Sequence, residues 1–366
     1  MSNKYLCLQC WRISKVDKLF GIAQNDAPRD WRVPPAARDR QRLGDLYPAQ
    51  WWEKLNDSPR DLYELAIQNG LTVECECHAP ILPCAKLRHE RTSAIRIAGP
   101  TGSGKTLFLT TIVDNFKHMR LKDMALWGIC DTDEGFAKVS SALLEDGRRP
   151  KSTHKSTGER YAWEIIDKFT QHPLLAIHDI GGETWEQLNH GCDKNISRYL
   201  ALPGHLILVL DGASIADDLG LPSADAWDSS PRRGDGGAKD KTILRYMTDS
   251  WNRRDYNRIK LALVITKADL LWDKYPVLQQ ACSSLSKTED EQEYLKELLI
   301  NSGRGDLLVI AEERLSDCCI FATSSLGFRP QDNDVSVEDR DKLERKPKPS
   351  GTILPLLWLL DIEQPL

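Results

Sequence analysis

No stretch of the 366-residue chain is apolar for long enough to span a bilayer: the longest run, TILPLLWLLDI at 352–362, is broken by a proline and an aspartate. No secretory signal opens the sequence either, so a membrane partner is not expected. A strong excess of either charge is also missing. The formal net charge of -5 provides no global pull toward nucleic acid or an anionic surface. The Arg-rich tract RDWRVPPAARDRQRL at 29–43 is interleaved with aspartates, which argues against nucleic acid there as well. There is no internal repeat, and 41% hydrophobic with 28% charged residues excludes a largely disordered protein. Ten cysteines are present, five of them before residue 85. In a chain with no extracellular mark, that clustering points to metal ligation rather than a disulfide framework, and to a cytoplasmic location.

The length suits a main domain and a smaller one. From Ser93 onward, short apolar runs alternate with amphipathic stretches, the pattern of an α/β domain with a mostly parallel sheet. AIRIAG, MALWGICD, YAWEIID, PLLAIHDI, HLILVLDG, IKLALVITK and CCIFATSS are the expected strands. TLFLTTIVDNFKHM, EGFAKVSSALLED, TILRYMTDSWNRRD and EDEQEYLKELLINSG are the expected helices. Residues 212–241, polar and rich in Gly, Asp and Pro, read as a long surface loop, and RDKLERKPKPSG as a charged linker to a final short helix. The organisation expected is a cysteine-containing module over 1–90 and an α/β domain over 91–366, with insertions at 121–147 and 212–241.

Gly99, Pro100, Thr101, Gly102, Ser103, Gly104, Lys105 and Thr106 fit G-x-x-x-x-G-K-[ST], and they follow an expected strand and open an expected helix. Glycines let backbone N–H groups turn inward around a β-phosphate, and the helix N-terminus adds its positive dipole end. Lys105 bridges the β- and γ-phosphates, and Thr106 offers its hydroxyl to Mg2+. Downstream, LLAIHDIGGE places Asp179 at the end of an apolar strand, within reach of the Mg2+ shell, with Gly182 behind it to approach the γ-phosphate. Asp131 and Asp211 also end apolar strands; Asp179 is preferred for its glycines. In LALVITKAD, Thr266, Lys267 and Asp269 follow another buried strand. A carboxylate there can accept from N1–H and the 2-amino group of guanine, which adenine cannot offer, while the lysine stem lies over the base.

In this order, with FATSSLG closing the last strand, the motifs resemble those of P-loop GTPases of the Ras-like, translation-factor-related class over residues 93–330. The resemblance implies a GTP-binding and GTP-hydrolysing switch that uses GTP/GDP and Mg2+. It places Ser324 and Ser325 beside the guanine. It also implies a switch threonine before Asp179 that completes the Mg2+ shell; Thr153 is chosen over Thr157 and Ser152. Glu183 stands where the Ras-like pattern has the glutamine that orients the attacking water, and its charge near the γ-phosphate would slow hydrolysis. Arg148 and Arg149 are candidates for a finger in cis, with solvated surface residues the plainer reading. The insert, the HDIGGE turn and the cysteine module resemble most closely the bacterial double-GTPase type 2 family of conflict, phage-defence-like systems. That implies operon-encoded partner proteins and a homo- or hetero-dimer.

Cys7 and Cys10 form a C-x-x-C knuckle, and Cys75 and Cys77, with His78 and Cys84 nearby, supply the second half of a tetrahedral Zn2+ site in a zinc-ribbon-like module. Pairing of Cys75 with His78 is the alternative. Cys130, Cys192, Cys282, Cys318 and Cys319 read as core residues, His178 as packing, and Trp51 and Trp52 as core of the small module. Two other functions remain open from sequence: a GTP-stabilised interaction scaffold with little hydrolysis, and a P-loop ATPase in which TKAD is incidental.

Overall fold

The computed structural model describes residues 4–23, 40–47, 62–82, 85–87, 94–100, 102–118, 125–130, 132–148, 160–166, 171–178, 198–199, 202, 204–221, 236–249, 258–283, 288–331, 336 and 342–362. Thr101, Asp131, Ser152, Thr153, Thr157, Asp179, Gly182, Glu183, Arg149, Cys84, Cys192, Trp51 and Trp52 lie outside them.

The N-terminal segment opens with the antiparallel hairpin β1 (Lys4–Cys7) and β2 (Arg12–Lys15). Strand β3 (Phe20–Ala23) pairs on one side with β4 (Gln41–Arg42) and on the other with β5 (Leu71–Glu74). Among the described residues, two short helices, α1 (Leu43–Leu46) and α2 (Leu62–Gln68), lie between β4 and β5 in sequence. Tyr5 stacks on Tyr63 at 5.0 Å, and the Tyr63 hydroxyl donates to Ile81 O at 2.7 Å. Tyr5, Tyr47 and Tyr63 thus add aromatic mass to the aliphatic core of this small segment.

All seven strands expected from residue 94 onward form one sheet. They are β6 (Ala94–Ala98), β7 (Ala125–Gly128), β8 (Arg160–Ile166), β9 (Gln171–His178), β10 (Gly204–Asp211), β11 (Lys260–Thr266) and β12 (Asp317–Ala322). Their order is β12-β11-β10-β6-β9-β8-β7, and only β8 runs antiparallel to its neighbours. The central strands are continuous apolar runs because both faces are covered. Leu206, Leu208 and Leu210 enter one core and Ile207 and Val209 the other.

Helix α3 (Lys105–His118) packs Phe108, Ile112 and Phe116 on one face, joined there by Phe136 of α4 (Thr132–Leu144). The opposite face carries α5 (Gly212–Asp218), α6 (Gly236–Asp249), α7 (Val277–Ala281), α8 (Glu289–Asn301) and α9 (Gly305–Arg314). α10 (Leu354–Leu359) closes the first face. The result is a three-layer, doubly wound α/β body. Helix α8 starts on a capping box, Thr288 with Glu291, which satisfies two orphan N-terminal donors.

Three expectations need correction. Residues 212–241 are not one loop: the Asp211 carboxylate caps α5 by accepting from Ala213 N–H at 3.1 Å, and α6 begins at Gly236. A helix, α9, follows α8 where the sequence pattern suggested none. The charged linker is an ordered strap. Leu343 is buried with Leu143 and Phe328, and Ser350 exchanges backbone hydrogen bonds with Ser324 at 2.8 and 3.0 Å. The N-terminal segment also shares its core with the body, since Leu6, Trp11 and Leu87 pack with Ala94, Ala98 and Tyr199.

Candidate functional site

The strand order puts β6, which leads into the candidate phosphate loop, at the centre, between β9, which leads to Asp179, and β10. Ligands in such sheets sit beyond the carboxyl ends of the strands. β6 ends at Ala98, and the chain turns through Gly102 (φ +75°) and Gly104 (φ +76°) into α3 at Lys105. Both glycines hold the left-handed conformation that the turn requires, and among the described residues no atom beyond its chain neighbours lies within 4 Å of where a side chain on Gly102 would begin. Gly99 answers a different need: a Cβ there would stand 2.4 Å from Val209 O and push β6 off β10. Lys105 is buried, and its Nζ donates to Gly99 O at 2.7 Å and Pro100 O at 2.8 Å, spanning the loop's own mouth. The loop is preformed, with a cation and a helix N-terminus over one cradle, a donor set that fits a polyphosphate.

The second loop is tied to the first. Thr266 Oγ1 lies 2.5 Å from Ser103 O and 2.9 Å from Leu210 O, so its single proton is shared between the phosphate loop and β10. Lys267, in a left-handed conformation (φ +51°), donates from Nζ to Gly102 O at 2.8 Å and pairs with Asp211 at 3.2 Å. Asp211, a rival for the metal-facing acidic position, is therefore engaged as a helix cap and as the counter-ion of Lys267.

Asp269 is buried, and its Oδ1 accepts from Ser324 Oγ at 2.5 Å; Ser324 Oγ in turn accepts from Gly327 N–H at 2.8 Å. Ser325 is buried beside it in sequence. Thr266 and Lys267 are thus hydrogen-bonded to the candidate phosphate loop, while Asp269, farther along the same loop as Lys267, forms a separate bonded pair with Ser324. Thr106 lies in the first turn of α3. Arg148, exposed, donates its backbone N–H to Ala142 O and bridges to Lys342 of the strap.

The four cysteines of the N-terminal segment converge: the sulfurs of Cys7, Cys10, Cys75 and Cys77 all lie within 4.8 Å of one another, with Cys7–Cys77 and Cys10–Cys75 at 3.6 Å. A tetrahedron of Zn–S bonds near 2.3 Å has edges of about 3.8 Å, so the donor set fits a structural Zn2+. The Cys75 sulfur is drawn toward the thiolate because Cys10 and Cys7 hydrogen-bond to it. His78, exposed at the rim, faces Glu74 at 4.0 Å rather than the cluster. Cys282 and Cys319 are buried, and Cys130 and Cys318 half-buried.

Two elements of the neighbourhood escaped sequence reading. They are the strap, whose Lys348 donates its N–H to Leu326 O at 2.7 Å, and Tyr199, fully buried against β6. Neither carries a motif.

No protein-family model matches the chain, and no curated protein matches it. Among solved structures it is similar to the Arl6/BBS3 small GTPase of Trypanosoma brucei with a bound nucleotide analogue. Identity is 11%, over 64% of this chain and 88% of that one, with a TM-score of 0.29. It is also similar to the signal recognition particle receptor SRb-GTP/SRX complex of Chaetomium thermophilum, at 15% identity over 66% and 95% of the two chains, with a TM-score of 0.31. Scores this low do not place the chain in a family, so its own strand order and loop contacts must carry any functional reading.

Proposed function

We propose that the chain binds GTP and Mg2+ and hydrolyses the nucleotide, serving as a switch that partner proteins read. The observation that carries this reading is the interlock between the loops. Lys267 and Thr266 hold the phosphate loop by its carbonyls while Asp269, fixed by Ser324, stands behind them. Such a tie would set the loop that faces the base against the loop that holds the phosphates, as one bound nucleotide requires.

In this reading the amides of residues 102–106 and Lys105 hold the phosphates, and Asp269 accepts two hydrogen bonds from guanine. Thr106, Asp179 and Thr153 would hold Mg2+, which supplies charge neutralisation between the β- and γ-phosphates. Gly182 would sense the γ-phosphate and Glu183 orient water, slowly for its charge. The four cysteines would hold Zn2+. Resemblance to the double-GTPase family supports partners encoded beside this chain in a defence system.

The test is thermal denaturation with each nucleotide. GTP at a hundredfold excess over its Kd stabilises by about 2.7 kcal/mol, and ATP is expected to leave the midpoint where it was. Asp269→Asn, which places a donor where guanine needs an acceptor, should transfer the preference to xanthosine triphosphate. Equal stabilisation by ATP and GTP would rule out the base contact. GTP binding with no single-turnover hydrolysis would leave a scaffold instead of a switch.

A further inference from the structure

The central sheet is split beside the phosphate loop. β6 and β9 pair from Ala94 opposite Leu174 to Arg96 opposite Ala176 and no further, although β6 continues to Ala98 and β9 to His178. Tyr199 sits in the split. Its hydroxyl accepts from Ile97 N–H at 3.1 Å and has Ile97 O at 3.1 Å and Ala176 O at 3.2 Å as acceptors for its proton. These are backbone groups with which the ladder would have continued, and buried as they are they must find partners. Gly99 lies two residues beyond Ile97, and Asp179 three beyond Ala176. The tyrosine therefore sets the gap between the strand that carries the phosphate loop and the strand that leads to the acidic turn.

The cysteine knuckle holds the tyrosine in place. Trp11 packs on the Tyr199 ring at 5.1 Å and is 1% exposed. It follows Cys10 directly, and its N–H closes onto Cys7 O at 2.7 Å. Its φ of +59° is a left-handed conformation that a bulky residue adopts only when its surroundings impose it. Gln9, inside the same knuckle, accepts from Arg160 Nη1 at 2.8 Å. Arg160 is the first residue of β8, directly after the segment that contains Thr153 and Thr157. One knuckle thus touches the exit of one candidate switch segment and, through Tyr199, the strand that enters the other.

We propose that Tyr199 is a positioning residue for the nucleotide site and that the knuckle sets it, so that metal binding at Cys7, Cys10, Cys75 and Cys77 and nucleotide binding at the phosphate loop are coupled. The inference rests on the GTP-binding reading above. With four sulfurs held together, Trp11 keeps its imposed conformation and Tyr199 its backing. With the knuckle relaxed, Trp11 is released and the gap between β6 and β9 can vary. Linkage demands the converse: a nucleotide that fixes the gap tightens the hold on the metal by the same factor.

The experiment uses the full chain under reducing conditions. Mant-GTP affinity is measured with the protein loaded with Zn2+ and stripped of it, and Zn2+ affinity by competition with a chromophoric chelator, with and without GTP. The expected factor is about tenfold and equal in the two directions. Trp11→Phe and Tyr199→Phe, which keep an aromatic ring at each position, are expected to bind both ligands while the factor falls toward one. A merely structural role would lower the melting temperature and leave the factor intact. Full-strength binding of both ligands to the wild-type chain with neither altering the other overturns the coupling alone, as does a factor that survives in both variants. Failure of the wild-type chain to take up Zn2+ overturns it too. If the loaded wild-type chain binds no mant-GTP, the GTP reading falls and the coupling with it.

Discussion

Arg304, the residue before α9, is completely buried, and its guanidinium ties α9 to α5 and α6: Nε donates to Asp240 at 3.0 Å, Nη1 to Asp218 at 2.7 Å and Nη2 to Ser214 Oγ at 3.0 Å. Burial pushes the Asp240 carboxyl up from 3.8 to about 7, with Arg304 pulling the other way. The folded state therefore keeps a proton there that the unfolded chain has released. Stability from this group is complete below pH 3.8 and is lost as pH rises through about 7. His205 has the opposite sign. Burial and the Lys260 charge lower it from 6.5 to about 4, and its Nδ1 accepts from Lys260 N–H at 3.1 Å. Its contribution is present above pH 6.5 and lost as pH falls through about 4. Across the shared window the two slopes oppose each other. Urea midpoints measured from pH 4 to 7 should gain on the alkaline side in Asp240→Asn, by about 1.4 kcal/mol per pH unit at most, and lose less on the acid side in His205→Asn. Parallel pH profiles for the wild type and both variants would contradict these assignments. At this scale the sequence is legible only where a requirement is local. Gly102, Gly104 and Lys105 are fixed by a single short turn between one strand and one helix. Tyr199, by contrast, acts on Ile97, 102 positions away in sequence, and nothing near it advertises that.

Strands of the sheet announced themselves because each is buried on both faces and reads as an unbroken apolar run. The strap did not. Its attachment is through backbone, one leucine and one arginine, hidden in KLERKPKPS. Leu343 N–H donates to Gly147 O at 2.9 Å, its side chain fills the space between Leu143 and Phe328, and the Arg345 guanidinium lies 4.1 Å over the Phe328 ring. The strap thus connects the end of α4 to the loop of Ser324, which in turn holds Asp269. Leu343→Ala should cost about 2–4 kcal/mol in urea denaturation and, on the proposed GTP-binding reading, quicken mant-GDP release, since the loop of Ser324 and Asp269 loses its support. A destabilised variant with an unchanged release rate would show that the strap braces the fold without affecting the loop of Ser324 and Asp269. The misread stretch 212–241 has a similar cause. Its glycines and aspartates are turn formers in isolation, yet one of them, Gly212, begins α5 because the preceding Asp211 caps it, a local choice of position that composition does not display.

At the scale of the whole chain, composition separates residues 1–90 from the rest by their cysteines, arginines and tryptophans. Composition cannot show whose core the apolar residues complete. Leu6, Trp11 and Leu87 pack into the same cluster as Ala94, Ala98, Tyr199 and Leu206, and they do so beside β6, which also carries the buried Arg96, whose Nη2 donates to Gly204 O at 2.9 Å. Removing the first ninety residues would therefore not free a finished domain. It would strip the cover from the Tyr199 ring, leaving water to reach the seam between β6 and β9. A chain of residues 91–366 is expected to be poorly soluble, or soluble with raised binding of a hydrophobic dye and a melting temperature well below that of the full chain. Supplying residues 1–90 with Zn2+ in trans should restore part of that stability, because the packing between the two parts is non-covalent and specific. A fragment that melts where the full chain does, and binds no more dye, would mean that the shared core contributes nothing to the α/β body and that the two parts fold apart.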